Sequence, residues 1–372
     1  MSLRIQSIRL HDFRSYADAC ISDLSSLVVL AGPNAAGKTN FIEAVQLLTA
    51  LDSFRSPKTD QLIRWDAGQA SIAAVLRDGE RKVDVALHLD ARGRHFKLNG
   101  KQRPRQELQG TLPAVVFSPD DLQLVKGSPE LRRNAIDALG TQVSRNYLSV
   151  KRDYEKILRQ KNRLLKDEVS ASYLASVNEV LVKIGSQLFL YRLRVLRGMR
   201  ELLPQRHRDS TASDDAVSLE YAPSFRREAS LDDDEIRFYE SNRSSVEDEL
   251  HRALAARGDE ERARKMSLIG PQRDVPDFSL NGRSASDFAS QGQQRSIAIA
   301  YKLSELRYIE QITNVKPILL LDDVMSELDS NRRAMLTGYI HEAAQTFITT
   351  TNLDYFTPEF LETAQVIALP LP

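Results

Sequence analysis

The sequence predicts an α/β fold split along the chain by a mainly helical second lobe, and three observations predict it. Alternating apolar and polar residues up to 118 read as strands. Between 119 and 264 the apolar period lengthens to three and four, as in amphipathic helices. Strand-like runs then return in DFSLNG and PILLLDD, within 265–372. Segments 1–118 and 265–372 are therefore expected to form the two parts of one α/β head, with 119–264 inserted as a helical arm. A chain of 372 residues also exceeds what one core usually supports.

The elements follow in order. LRIQSIRL, LVVLAG, ASIAAVL, KVDVALHL and HFKLNG alternate or run apolar as strands do, and Asn99-Gly100 is a two-residue hairpin turn because both residues tolerate positive φ. Tyr147, Val150, Tyr154, Ile157, Leu158, Leu164 and Leu165 make one helical stripe. Leu174, Val177, Leu181, Ile184, Leu188, Tyr191 and Val195 make a second. The polar RHRDSTASDD at 206–215 reads as a surface loop. VSLEYAP is a short strand, followed by a charged helical region ending near Arg264. Trp65 reads as a packing residue, and His11, His88 and His95 as structural residues on strands.

Composition sets outer limits. With 51 basic and 51 acidic side chains, any nucleic-acid surface must be local. The one cysteine, Cys20, offers neither an internal disulfide nor a thiol cluster for zinc. The N-terminus alternates rather than following the layout of a signal peptide, and no run reaches the roughly 18 apolar residues of a membrane span. A soluble, cytoplasmic protein without a membrane partner is the expectation.

Behind LVVL, the run Gly32-Pro33-Asn34-Ala35-Ala36-Gly37-Lys38-Thr39 fits G-x-x-x-x-G-K-[ST] at every position. Such a loop turns successive N–H groups toward phosphates, and the helix behind it adds its positive end. Lys38 is expected to reach the β- and γ-phosphates of ATP, and Thr39 to ligate Mg²⁺. The bland alternative is a turn rich in small residues. The apolar run at 318–321 delivers Asp322 to a strand end, where a carboxylate can hold the same metal. Asp323 is the candidate base or water-orienting group. The stretch Ala289-Ser-Gln-Gly-Gln-Gln-Arg295 precedes a helix, and on its own it reads equally as a plain N-cap.

Charge is unevenly distributed: Lys126 to Lys166 holds eleven basic and four acidic residues, Arg226 to Glu249 nine acidic and four basic. Arg145, Lys151, Arg152, Lys156, Arg159, Lys161 and Arg163 form a stripe suited to phosphates, or else a solvated helix face. No aromatics interleave with it, which favours duplex backbone over single strands. Arg132 and Arg133 have structural alternatives, capping a helix or bracing the lobes.

With these pieces placed, the chain resembles the RecF family, bacterial recombination-mediator ATPases with heads of the ABC/SMC type. PDDLQLVKGSPELRRNAID at 119–137 and LDDVMSELDSNRRAML at 321–336 look like that family's long signatures, joined by SFRSPKTDQLI at 53–63, GPQRD at 270–274 and FITTT at 347–351. Ala35, Ala135 and Gln272 depart from the glycine, aromatic and histidine usual there. A methyl at Ala35 is expected to suit the loop only at negative φ. Ser290, Gly292 and Gln293 resemble the Ser-Gly-Gly-Gln-like loop with which one ABC-type subunit covers the γ-phosphate held by another. The resemblance implies an ATP-dependent homodimer on duplex DNA beside single-stranded gaps, acting with RecR and RecO to load recombinase. Aspartate rather than glutamate at 323 implies weak ATPase activity, suited to a switch. Thr350 lies near where many ABC-type ATPases sense γ-phosphate with histidine, and Arg55 is a candidate for phosphate or DNA contact. The rival reading is a transporter-type ATPase subunit, against which stand the basic arm and the missing glutamate. An enzyme for a small phosphorylated substrate lacks a second pocket motif.

Overall fold

The computed structural model describes residues 3–55, 57–211, 213–226 and 230–371. Ser56 of the SFRSPKTDQLI run, Ala212 of the polar stretch and 227–229 of the acidic segment lie outside these residues. The chain starts with strands β1 (Arg4–Phe13), β2 (Tyr16–Ile21) and β3 (Leu27–Ala31), then helix α1 (Lys38–Thr49). Strands β4 (Ala70–Asp78), β5 (Arg81–Asp90), β6 (Gly93–Leu98), β7 (Lys101–Arg103) and β8 (Ala114–Phe117) follow. Next come α2 (Pro129–Val143), α3 (Arg145–Lys166), α4 (Ala171–Ser210), β9 (Val217–Ala222), α5 (Asp233–Ser241) and α6 (Arg243–Arg264). The chain continues with β10 (Val275–Leu280), β11 (Arg283–Ser284), α7 (Gln291–Thr313), β12 (Ile318–Asp322), α8 (Ser330–Gly338), β13 (Gln345–Thr350) and β14 (Gln365–Ala368).

Two compact units result, one of residues 1–122 with 302–372, the other of 123–301. The second unit keeps residues beyond 264 because β10 pairs antiparallel with β9, Val275 opposite Ala222 through Leu280 opposite Val217. An α/β unit built from both ends of the chain, with a mainly helical second unit between them, matches the split α/β class that the sequence predicts.

The first unit contains an antiparallel sheet in the order β2-β1-β4-β5-β6-β7 and a parallel sheet in the order β14-β3-β13-β12-β8. Alternation follows the pleat: Val83, Val85, Leu87 and Leu89 are buried while Lys82, Asp84 and His88 are exposed. Asn99 (φ 49°) and Gly100 (φ 74°) turn the β6–β7 hairpin. β3 and β8 are apolar and β12 is apolar up to Asp322, as suits strands buried in a parallel sheet; α1 packs on this sheet, where Phe41 meets Phe347 at 6.0 Å between ring centroids. Gln345 joins the two sheets: its Nε2 donates to the carbonyls of Ile5 (2.9 Å) and Ser25 (2.8 Å), and its Oε1 accepts from the Ile5 N–H at 2.8 Å.

In the second unit, α3 and α4 pack as an antiparallel hairpin; Tyr147, Tyr154 and Leu165 of α3 and Leu181, Leu188 and Leu196 of α4 are buried, and the rings of Tyr147 and Tyr191 lie 5.3 Å apart. Arg132, within the first long signature, is buried and donates to the carbonyls of Leu124, Val125, Gly127 and Pro276. Arg133 donates to the Asp274 carbonyl at 2.7 Å. Both arginines therefore brace loops of their own unit.

Two local expectations are corrected. Trp65 is 87% exposed: Leu62 and the Phe13–Ile63 bridge occupy the inward positions, and the Arg64–Ala67 turn directs the indole outward. The stretch at 206–215 does not begin as a loop, since α4 runs through Ser210 and His207 is 1% exposed. The hydroxyls of Ser210 and Thr211 each donate to the His207 carbonyl at 2.9 Å and close the helix there. Polar composition reports hydrophilicity and is blind to a neighbour that buries the side chain.

Candidate functional site

β3, β13 and β12 lie side by side and parallel, with Ala31 opposite Thr350 and Thr349 opposite Asp322. Their carboxyl ends thus bring the glycine-rich loop, the FITTT run and the acidic pair to one sheet edge, the usual place for a ligand in an open α/β sheet. The loop runs from β3 into α1 with Gly37 at φ 93°. A Cβ on Gly37 would lie 2.9 Å from the Tyr16 hydroxyl, and one on Gly32 2.6 Å from the Leu369 carbonyl oxygen. The Tyr16 hydroxyl donates to the Gly37 carbonyl at 3.0 Å, and burial pushes that phenol up to about 12. It is therefore a donor throughout the neutral range.

Lys38 is 6% exposed, and its ammonium donates to the carbonyls of Gly32 (2.7 Å) and Pro33 (2.8 Å). Asp322 is 4% exposed, and its Oδ1 accepts from the Thr349 hydroxyl at 2.9 Å. Burial pushes the Asp322 carboxyl up, opposed by hydrogen bonds from the Thr349 and Thr39 hydroxyls and by the charge of Arg55. The residues of two distant segments thus meet, Thr39 against Asp322. Asp323 takes a left-handed φ of 52°, which aspartate tolerates, and its N–H donates to Thr349 Oγ1 at 2.9 Å. Its Oδ1 is buried without a hydrogen-bond partner; burial raises the carboxyl, Lys38 lowers it and Glu327 raises it. The Thr39 hydroxyl and the Asp322 carboxylate are oxygen donors that fit a hard divalent cation.

Ala35 overturns the sign condition set for it, because its φ is +65°. That left-handed well is open to any L-residue at a cost of about 1–2 kcal/mol, so the methyl strains the loop without forbidding it. Because the strain is already present in the loop without nucleotide, Ala35→Gly is expected to raise the unfolding free energy by about 0.5–1 kcal/mol in urea unfolding while changing ATP affinity little. An unchanged unfolding free energy would show that the methyl costs nothing here.

Arg55 donates to Asn40 Oδ1 at 3.2 Å and lies 3.9 Å from Glu43, a fully buried carboxylate also held by Arg14 and Ser53. Arg55 is thereby tethered to the first turns of α1, next to Thr39. Thr350 spends its hydroxyl on the Asn352 carbonyl at 2.7 Å, shaping the turn after β13. The residue that sequence reasoning missed is Thr349, whose hydroxyl serves both Asp322 and the Asp323 N–H. A threonine closing a buried strand beside β12 was the available signal.

In the second unit, Ser290 and Gln293 cap α7 reciprocally, Ser290 N–H to Gln293 Oε1 at 2.9 Å and Gln293 N–H to Ser290 Oγ at 3.3 Å. The N-cap is therefore real, with Gly292 between the two. On α3, Arg145, Arg152, Lys156, Arg159 and Arg163 are exposed or half-exposed. Lys151 is half-buried, 3.3 Å from Glu155. Lys161 must be withdrawn from the phosphate-binding stripe: it is 0% exposed and pairs with Glu261 at 2.7 Å. Burial pushes its ammonium down, and Glu261 opposes that.

Residues 4–366 match the family described as the RecF/RecN/SMC N terminal domain. The chain is 35% identical to the DNA replication and repair protein RecF of Synechococcus sp. (strain JA-3-3Ab), over 98% of this chain and 95% of that one. It is also 35% identical to the RecF of Gloeobacter violaceus, over 98% and 96% respectively. It is similar in structure to the recombination mediator protein RecF with ATPrS in the RecFOR pathway, with TM-score 0.86, 26% identity and 96% and 94% of the two chains covered. The likeness to the Smc head of Pyrococcus furiosus, at TM-score 0.50 and 14% identity, concerns the fold alone.

Proposed function

Because this chain belongs to the RecF family, we propose that it is an ATP-dependent DNA-binding protein of replication and recombinational repair, in which ATP held between two copies switches dimerisation on duplex DNA beside gaps. The observation that carries this reading is the meeting of Lys38, Thr39, Asp322 and Asp323 at one sheet edge, in a chain alike over nearly its full length to RecF with a bound ATP analogue.

The N–H groups of residues 34–39 and the start of α1 bind the phosphates, and Lys38 exchanges its two carbonyl partners for phosphate oxygens. Thr39 and Asp322 would hold Mg²⁺, which would neutralise charge on the phosphates. Asp323 accepts a proton from, or orients, the attacking water. Ser290, Gly292 and Gln293 of a second copy cover the γ-phosphate. Tenfold tighter dimerisation needs only about 1.4 kcal/mol, well within the reach of two such contacts. Turnover is slow, as suits a switch. On DNA, Arg145, Arg152, Lys156, Arg159 and Arg163 track the backbone, with Lys151 at their side. RecR and RecO are the expected partners and the cytoplasm the expected location. The relatives in sequence are DNA replication and repair proteins, so the transporter reading has no support among them; no helix of the described residues is long and apolar enough to cross a membrane.

Sedimentation of the pure protein with ATP and magnesium, with and without a gapped duplex, tests this reading. A dimer is expected with ATP and not with Lys38→Arg, and five phosphate contacts per copy give a log–log salt slope of about −4.5 for each copy engaged. Each arginine removed from the α3 stripe should reduce that slope by about one. A wild-type chain that stays monomeric with ATP, or a Lys38→Arg variant that dimerises equally, sinks the switch.

A further inference from the structure

Both ends of the Gln293 side-chain amide are held. The oxygen accepts from the Ser290 N–H, as above, and Nε2 donates to Asp215 Oδ2 at 3.2 Å. Asp215 is itself fixed from several sides. Its Oδ1 accepts from Asn281 Nδ2 at 2.8 Å, and its N–H donates to Ser213 Oγ at 3.2 Å. Asn281, at left-handed φ 52° after β10, is locked to the neighbouring backbone: its Oδ1 accepts from the Ala216 N–H (2.9 Å), and its own N–H donates to the Ala216 carbonyl (2.8 Å). Hydrogen bonds from Asn281, Ser213 and Gln293 hold the Asp215 carboxyl below the usual carboxylate range. The segment after α4 and the turn after β10 thus converge on one carboxylate that faces the head of α7.

We propose that Asp215 is a positioning residue for the Ser290–Gln293 loop, holding it in the form that closes on the γ-phosphate of nucleotide bound to a second copy. This inference rests on the reading of that loop as the γ-phosphate contact between copies. An amide with only its oxygen fixed by the Ser290 N–H can rotate about its last bond. The charged acceptor on Nε2 removes that freedom and sets which groups of the loop remain available outward.

Asp215→Ala and Asp215→Asn test the assignment by ATP affinity of the monomer, by dimer dissociation in ATP and magnesium, and by ATP turnover. Asp215→Ala is expected to weaken the ATP-dependent dimer by about tenfold and slow turnover in step. The affinity of the monomer's own glycine-rich loop for ATP should stay unchanged. Asp215→Asn retains one acceptor oxygen for Gln293 Nε2 and should recover part of the loss. Equal loss of monomer ATP affinity in both variants would assign Asp215 a merely structural role and overturn the proposal. Gly292→Glu, which obstructs the loop itself, separates the two levels. If Gly292→Glu abolishes the dimer while Asp215→Ala dimerises as wild type, the loop reading stands and the Asp215 assignment falls. If both variants dimerise as wild type, the contact between copies falls with it.

Discussion

Arg192→Met is expected to lower the unfolding free energy by about 3–5 kcal/mol, the largest stability loss we anticipate from a single change in this chain. Arg192 on α4 is 3% exposed and grips Asp137 on α2 with two bonds, Nε to Oδ1 at 2.8 Å and Nη2 to Oδ2 at 2.9 Å. It also donates to the Pro271 carbonyl, and the Tyr147 hydroxyl donates to Asp137 Oδ1 at 2.7 Å. Nearby, Tyr221 donates to Asp274 Oδ2 at 2.6 Å. Burial alone would raise Asp137, yet the charge and hydrogen bonds of Arg192 hold it below the usual range. In the wild type this depressed carboxyl contributes stability that is present above its unfolded value and lost as pH falls through its folded one.

Removing Arg192 reverses the sign. Asp137 is then a buried carboxyl without its cation, its folded pKa rises above the unfolded value, and the penalty grows as pH rises past about 4. Urea unfolding of Arg192→Met should therefore show a larger loss at pH 8 than at pH 4. Adding Asp137→Leu should return part of the loss, because the uncompensated charge leaves with it. A loss under about 1 kcal/mol at pH 8 would mean that water reaches Asp137 and replaces the guanidinium.

Asp137 and Arg192 are separated by helix α3 and the first half of α4, and nothing in the residues around either announces the other. This marks the general limit of what was legible. Local periods sufficed where burial is periodic, as in KVDVALHL, whose alternate residues point inward, and in Asn99-Gly100, whose two positive φ values are a property of those residues. The glycine-rich loop and the apolar run ending at Asp322 were equally readable, since their chemistry lies in contiguous residues. Lys161 was misread because a helical stripe specifies spacing but not which face a distant segment covers. Glu261, on α6, supplies the partner that takes it out of solvent. Trp65 failed for the opposite reason, since a large apolar side chain in a tight turn has nowhere inward to go once Leu62 is seated. Ala35 shows a third case: the loop imposes its backbone on the residue, and a preference of about 1–2 kcal/mol is overruled.

Asp323→Asn is expected to reduce ATP turnover by about 10²–10³-fold while leaving ATP affinity nearly unchanged. The side chain keeps its size and can keep the left-handed backbone, because asparagine tolerates positive φ as aspartate does. The N–H bond to Thr349 Oγ1 does not involve the side chain and survives the change. What is lost is the ability to accept a proton or hold a water by charge. The surroundings of the carboxyl suit it to that role, since burial raises it, Glu327 raises it further, and Lys38 opposes both. The basic form is accordingly lost as pH falls through a value above the ordinary aspartate range, so wild-type turnover should decline on the acid side and the variant should lack that limb. With hydrolysis slowed and binding retained, the ATP-held dimer should also persist longer on gapped duplex. Asp322→Asn gives the contrast, because Asp322 faces Thr39 and its loss should weaken magnesium-dependent ATP binding itself. Single-turnover hydrolysis across pH, with ATP affinity measured in parallel, separates the two carboxylates. If Asp323→Asn hydrolyses ATP within a few-fold of wild type and retains the acid limb, the proton acceptor is another group, and Asp323 serves only to shape the turn after β12.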